Sequence, residues 1–545
     1  MSQTGSAGES GGVTPGGLFT RSATGLVRGG TPRASLIMNI IPGHPTQTMA
    51  AVLLFALTVG PGGNTYLALL LVAPMTLAFA YSFGLLTQMI PRSGGDYMLV
   101  SRVIHPLVGS ISVFCMTAAG LLSNAFFGLA VVTAGIAPLC SAIGLIGNYP
   151  GLVTFGTDVA TSKGWIIFFG LVMFVLSGLM QLGGWKLILR IQNALFAMVT
   201  AALLICGLVA LVQSKSSFIS NFNSFARPYT KNADSYHATI SAAVKAGVDV
   251  SPGFSFSNTI PIVAVFATTA VFSYWATFVG GELRQASTMK TANNMAIGGI
   301  VPLVLVALFT AIFFRGYGGD FLRAAQANGL PDSIKAPGTP FFYLSSVGVG
   351  NTLYGVIVFL LYIVFWPLIT YISSLQQTRA IFAMSFDGVL PKTVTRVNSR
   401  GCPWLALTIA LLLSAAVFIY AVSDQTGFFQ VLVYALMVQL IAMGLVGLAA
   451  VIVPFRRPEL YRASTSQKSF AGIPLVSIAG AGALLTTVFV WWAYLHYDQL
   501  GTNSDITKLA IWTVGPAVLG ALFYVGVRLV KGAGADLVYR EIPPE

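Results

Sequence analysis

Charge is what this 545-residue chain lacks. Asp, Glu, Lys and Arg together make up 8% of it, against about 25% in an ordinary soluble domain, so a soluble globular fold is excluded. Between Arg33 and Arg92 there is no charged residue at all. Cysteine is equally scarce. Cys115, Cys140, Cys206 and Cys402 are the only four, and their spacing fits neither a disulfide framework nor a metal site. The apolar stretches hold no paired carboxylates, no His/Cys ligand cluster and no Ser/His/Asp set, which argues against an intramembrane enzyme. No cofactor is expected. Residues 1–30 have no apolar core and are rich in Gly, Ser and Thr, as in a disordered tail and unlike a cleavable signal peptide.

What is present is apolar length. Hydrophobic residues make up 55% of the chain. After the window 34–91, long enough for two spans, ten further charge-free windows follow: 103–157, 164–185, 191–214, 250–281, 291–314, 336–378, 401–423, 425–455, 469–497 and 509–527. Each can hold a helix of about 20 residues, the length that crosses a bilayer. The expected fold is therefore an all-α polytopic membrane protein with 12 transmembrane helices. The net charge of +13 sits in short loops, so the positive-inside bias explains it without nucleic acid. With the N-terminus inside, 20 Lys and Arg face the cytoplasm and 9 face outward, while the 16 acids divide evenly. Both termini of a multi-pass cell-membrane protein are predicted to be cytoplasmic.

The first span contains Met38-Asn39-Ile40-Ile41-Pro42-Gly43-His44-Pro45-Thr46. Two prolines and a glycine within four residues interrupt a helix, since each proline lacks an N–H and pushes the preceding residue out of the α region. Interrupted backbone at membrane depth survives only where protein or a water-filled cavity satisfies it, so residues 40–45 are a candidate binding site. His44 is the one Asp, Glu, Lys, Arg or His placed at depth in a span. It can bind substrate, carry a coupling proton, or be a neutral imidazole bonded near a kink.

Several loops carry a more specific signal. Pro91-Arg92-Ser93-Gly94-Gly95-Asp96-Tyr97 follows span 2, and there Arg92, Asp96 and Arg102 can pair. Arg190-Ile191-Gln192-Asn193 opens span 5. Gly280-Gly281-Glu282-Leu283-Arg284 ends span 6. Arg379 followed by Asp387-Gly388-Val389-Leu390-Pro391 ends span 8, and Phe455-Arg456-Arg457-Pro458-Glu459-Leu460 follows span 10. In kind and order these resemble the amino acid–polyamine–organocation superfamily of secondary transporters, over roughly residues 28–465.

The resemblance implies a 5+5 inverted-repeat, LeuT-like core of spans 1–5 (residues 31–213) and 6–10 (258–453). An extracytoplasmic loop at 214–257 separates the repeats, two C-terminal spans lie within 454–530, and a tail follows at 531–545. The loop reads as polar and able to lie over the outer mouth. The resemblance also places a second interruption in span 6, near Thr268–Ser273. There Thr268, Thr269 and Ser273 weaken a helix, but no Pro or Gly breaks it. Ile41, Pro42, Gly43 and His44, with Thr268, Thr269, Val271, Phe272, Ser273 and Tyr274, are the substrate-binding candidates, and Phe272 and Tyr274 are candidate gates. The family's Gly-x-Gly is replaced by Pro42-Gly43-His44-Pro45, which leaves fewer N–H donors for a carboxylate. The coupling ion is open between proton and sodium. The span-5 Lys of some proton-coupled relatives is Val199 here. Ser373 and Ser374 are candidate sodium ligands, and adjacent serines also serve as simple packing groups.

The expected function is a permease moving amino acids or related amines across the bilayer. The alternatives are a same-fold carrier of a nucleobase, polyamine or inorganic cation, and a non-transporting sensor or channel. The partners are a small molecule and lipid, with no nucleic acid. The oligomeric state is left open.

Overall fold

The computed structural model describes residues 26–47, 53–334, 341–424, 428–464, 467–501 and 505–532. The expected disordered N-terminal tail at 1–30 and the C-terminal tail at 531–545 lie outside them except for residues 26–30 and 531–532. Among the described residues, eleven helices are long and apolar enough to cross a membrane. They are Thr65–Met89, Pro106–Ile146, Lys163–Leu182, Gly184–Val212, Thr259–Phe278, Met289–Tyr317, Thr352–Phe386, Trp404–Ser423, Gln430–Arg456, Leu475–His496 and Ile506–Lys531. They match the expected spans 2 to 12 and keep those numbers here. The segment expected as span 1 runs partly outside the described residues and is not among them.

Apolar rows on the outside show why the helices need a bilayer. Leu204, Leu208 and Leu211 of span 5, Val301, Val304 and Leu308 of span 7, and Leu522, Val525 and Leu529 of span 12 are all exposed. Their i, i+3/i+4 spacing makes continuous greasy stripes. Loops gather at two ends. At one, the segment 26–30, the 90–105 loop, the turn at Gly183 and the exits of spans 6, 8 and 10 touch one another. At the other, Asn258 Nδ2 donates to Pro61 O, Tyr229 OH to Leu145 O, and Tyr236 OH to Tyr317 O. We call the first the basic end.

The region 214–255 differs from the expected polar loop. It forms two helices, Lys215–Thr230 and Ser235–Lys245. Phe218 and Phe222 recur at i, i+4, and their rings pack with Tyr236, Tyr317 and Phe321; Tyr236 stacks on Phe321 at 4.6 Å. Span 3 is also longer than expected. A π-helical stretch at Val131–Ile136 precedes Pro138, which lacks the N–H a regular ladder needs. A further helix, Pro150–Thr161, follows it.

Candidate functional site

The interruption in the first apolar segment is real, and its mechanics differ in part from expectation. The helix Pro32–Ile40 starts with Thr31 accepting from Ala34 N at 3.1 Å, with Pro32 at its first position. A single 3-10 turn, Ile41–Gly43, follows. Ile41 stays in the right-handed helical region although Pro42 follows it. Pro42 sits early in the tight turn, where no N–H is required. The true departure is His44, at φ −55° and ψ 132°, the extended conformation that Pro45 demands. Helix resumes at Pro45–Gln47.

Span 6 is also interrupted. The α-helix Thr259–Ala270 stops, Val271–Tyr274 forms a turn, and Trp275–Phe278 is 3-10. The break thus falls slightly later than Thr268–Ser273. It is made by neighbours rather than by a local breaker. Tyr274 stacks on Phe83 at 4.2 Å, its OH accepts from Gln439 Nε2 at 2.5 Å and reaches Met116 Sδ. Asn39 Oδ1 takes the Ala276 N–H at 3.1 Å. Those partners hold the turn open where an intrahelical bond would otherwise form.

The two interruptions lie side by side. A Cβ on Gly43 would sit 3.5 Å from Thr269 O and 3.5 Å from Pro302 of span 7. Ile41, Pro42, His44, Thr268, Val271, Phe272, Ser273 and Tyr274 are buried, whereas Gly43 and Thr269 are only half-buried. Partly accessible surface therefore remains where the two breaks meet. Next to it, Asn39 Nδ2, Ser273 Oγ and Trp275 Nε1 are buried polar atoms without a hydrogen-bond partner. Close approach of span 7 permits this: Cβ atoms on Gly298 and Gly299 would fall 2.6 Å from Asn39 Cβ and 2.8 Å from Ser273 Oγ. Not every candidate faces the meeting point of the breaks. Thr268 bonds Val265 O and Tyr494 OH, and Tyr274 points to spans 3 and 10.

His44 reaches across to span 5. Its Nε2 is 3.1 Å from Thr200 Oγ1, and its Nδ1 is 2.7 Å from Thr46 Oγ1 and 3.3 Å from Thr46 N. The Thr200 hydroxyl donates its only hydrogen to Phe196 O at 2.7 Å, so it accepts from His44 Nε2–H. The geometry assigns the Nε2–H tautomer, with the Nδ1 lone pair turned to Thr46. Phe196 meets the ring edge-on at 5.4 Å. Thr200→Val keeps the volume and strands that N–H. It should cost about 1–3 kcal/mol in thermal unfolding. In His44→Ala the same change should cost nearly nothing; additive losses would show that the contact is not made.

The span-8 serines lie among spans 3, 4 and 8. Ser373 Oγ donates to Gly120 O at 3.3 Å. Ser374 Oγ donates to Thr370 O at 2.8 Å while accepting from Gln181 Nε2 at 2.8 Å, with Ser177 Oγ at 2.9 Å. The lone pairs of Ser374 are thus already engaged. Among the described residues, no group of three His, Cys, Asp or Glu is placed to hold a metal ion.

At the basic end a charged network ties the halves together. Arg379 donates to Glu282 through Nε (2.7 Å) and Nη2 (2.8 Å), and both side chains are buried. Trp185 Nε1 and Ser93 Oγ add donors to the same carboxylate, while Gly30 N bonds Glu282 O at 3.0 Å and Arg284 N bonds Gly30 O at 2.9 Å. Beside it, Arg102 Nη2 pairs with Asp387 Oδ1 at 2.7 Å and Tyr97 OH donates to Asp387 Oδ2 at 2.7 Å. The expected pairing of Asp96 with Arg102 is therefore not made. Six residues apart on one short helix, Asp96–Val103, the two point to different faces, and Asp96 meets Ser112 Oγ of span 3 at 2.5 Å. Gly94 and Gly95, at φ +125° and +60°, make the turn that brings this loop against Phe278; a Cβ on Gly95 would lie 2.1 Å from that ring. At the opposite end a cleft of about 870 Å³ is lined by Thr133, Asn148, Thr154, Thr157, Asp158 and Tyr229, among others.

A bundle of long apolar helices with two interrupted segments meeting inside it defines a multi-span membrane transporter. Residues 34–519 match the amino acid permease family model, and the chain belongs to that family, within the amino acid–polyamine–organocation superfamily. That membership indicates a transporter rather than an enzyme. Among individually curated proteins none matches the chain.

Proposed function

We propose that this protein is a secondary active carrier of amino acids or related amines, working by alternating access in the cell membrane. The observation that carries the reading is the close approach of Gly43 and Thr269, both half-buried, where two interrupted helices meet. Helix ends supply what a zwitterion needs without charged side chains. N-terminal ends suit a carboxylate, and C-terminal carbonyls suit an ammonium. Twelve spans arranged as two inverted five-helix repeats, with both termini cytoplasmic, make the basic end the inner one. The Glu282–Arg379 and Arg102–Asp387 pairs are then a closed inner gate, and the cleft at the opposite end is the outer vestibule. His44 acts as a positioning residue that pins the break to span 5. The coupling ion is a proton, since the lone pairs of Ser374 are engaged elsewhere. One observation favours a second reading, an amine or neutral solute lacking a carboxylate: two prolines flank the single glycine of the break, which removes N–H donors.

The test is counterflow in proteoliposomes loaded with alanine, leucine, glutamate or arginine. At least one should drive saturable uptake of its labelled form. If none does and a nucleobase or polyamine does, the second reading replaces the first. Unitary currents without counterflow would remove both.

A further inference from the structure

We propose that Asp96 holds the coupling proton, binding it on its carboxylate while the inner gate is closed and releasing it as the gate opens. The proposal rests on the transport reading above and on the geometry of Asp96, which the turn and pairing roles read from its motif do not explain. Asp96 is fully buried. Its one side-chain hydrogen bond is from Ser112 Oγ to Oδ2, and Oδ1 is buried with no partner. Among the described residues it makes no ion pair, while the two other carboxylates of this network each face an arginine.

Among the described residues, the charged groups nearest Asp96 are engaged with other partners. Span 3 presents Ser112 and Cys115. Span 6 presents Tyr274, whose hydroxyl is occupied by Gln439 and Met116. On span 8, Arg379 is held by Glu282, and Asp387 by Arg102 and Tyr97. Beyond span 10, Arg457 donates to Arg102 O and pairs with Glu459. A carboxylate in such a place is costly, and a neutral carboxyl is not. Burial pushes Asp96 up to about 7, with Ser112 and the backbone N–H groups of residues 96 and 97 pulling the other way.

Its position couples that proton to movement. Asp96 lies between Ser93, which bonds Glu282, and Tyr97, which bonds Asp387. These contacts must break if the basic end is to open, and opening would bring water to Oδ1 and favour ionisation. The balance is simple: the carboxylate binds one proton while the basic end is closed and gives it up to the water that enters as that end opens, with no other bond made or broken. This differs from a proton on His44, whose Nδ1 lone pair already faces two Thr46 donors.

The test compares wild type with Asp96→Asn, which keeps shape and removes the titration. In proteoliposomes the variant should retain counterflow of whichever of the four amino acids is exchanged, within about threefold. It should lose accumulation driven by an imposed pH gradient. Infrared spectroscopy of the purified full chain supplies a readout that needs no substrate. A protonated-carboxyl band, absent in Asp96→Asn, should disappear with a midpoint near 7 as pH rises. Ser112→Ala removes a hydrogen bond that favours the charged form and should move that midpoint upward, which keeps the test open if Asp96→Asn fails to fold. Gradient-driven accumulation surviving in Asp96→Asn, or no band that depends on Asp96, would overturn the assignment. If wild type exchanges none of the four amino acids, the amino acid reading falls, and the infrared titration decides on Asp96 by itself.

Discussion

Glu282→Gln is expected to open the basic end of the molecule. The Arg379 guanidinium would remain buried with its bidentate partner gone, and stranding one half of a buried pair costs about 3–5 kcal/mol. On the proposed alternating-access reading this contact is made only in the closed arrangement, so most of the loss falls on that one. Cys402 reports the change. It is 1% exposed and close enough to Arg379 to feel its charge. Its labelling by an impermeant maleimide applied on the side of the basic end should rise more than tenfold. Adding Arg379→Met should restore much of the protection, because a neutral buried pair carries no stranded charge. Trp185→Phe, which removes only one donor to Glu282, should have a far smaller effect, about 1 kcal/mol. Unchanged labelling of Cys402 in Glu282→Gln would mean that this network is not a gate.

The partners in this charged network are not legible locally in the sequence. Glu282, Arg379 and Asp387 stand out in sequence as parts of loop motifs, yet nothing local says that Glu282 meets Arg379, 97 residues away, or that Arg102 passes over Asp96 for Asp387, 285 residues on. Such partnerships are tertiary. The two helix interruptions divide in the same way. The break at His44 is legible because Pro45 dictates an extended residue before it, although Pro42 turns out to sit comfortably inside a turn. The break in span 6 has no proline or glycine to announce it. It is held by Phe83, Gln439 and Asn39 on three other segments, and only the family resemblance pointed there. The helices at 215–245 were within reach. Phe218 and Phe222 have helical spacing, but Asn, Ser and Lys around them dilute the apolar signal on which a span-oriented reading depends.

Substitution at Gly43 should separate a binding gap from mere packing. A Cβ there would stand 3.5 Å from Thr269 O and from Pro302, ordinary van der Waals contact, so Gly43→Ala should fold and lower uptake several-fold. Gly43→Leu would push a branched side chain between the two breaks, against Thr269 O and Pro302. It should lower uptake more than a hundredfold while thermal stability falls by no more than the roughly 1–3 kcal/mol of overpacking. Gly299→Ala is the contrast. There a Cβ would lie 2.3 Å from Thr76 Cγ2, inside the packing of spans 2 and 7, and stability should suffer at least as much as transport. Uptake and thermal midpoint measured on the three variants place them on two different lines: function lost ahead of stability at position 43, both lost together at position 299. Normal uptake in Gly43→Leu would mean that solute does not pass between these two helix breaks. The substrate path would then have to run elsewhere in the bundle, and the orphaned Asn39, Ser273 and Trp275 atoms would need another explanation.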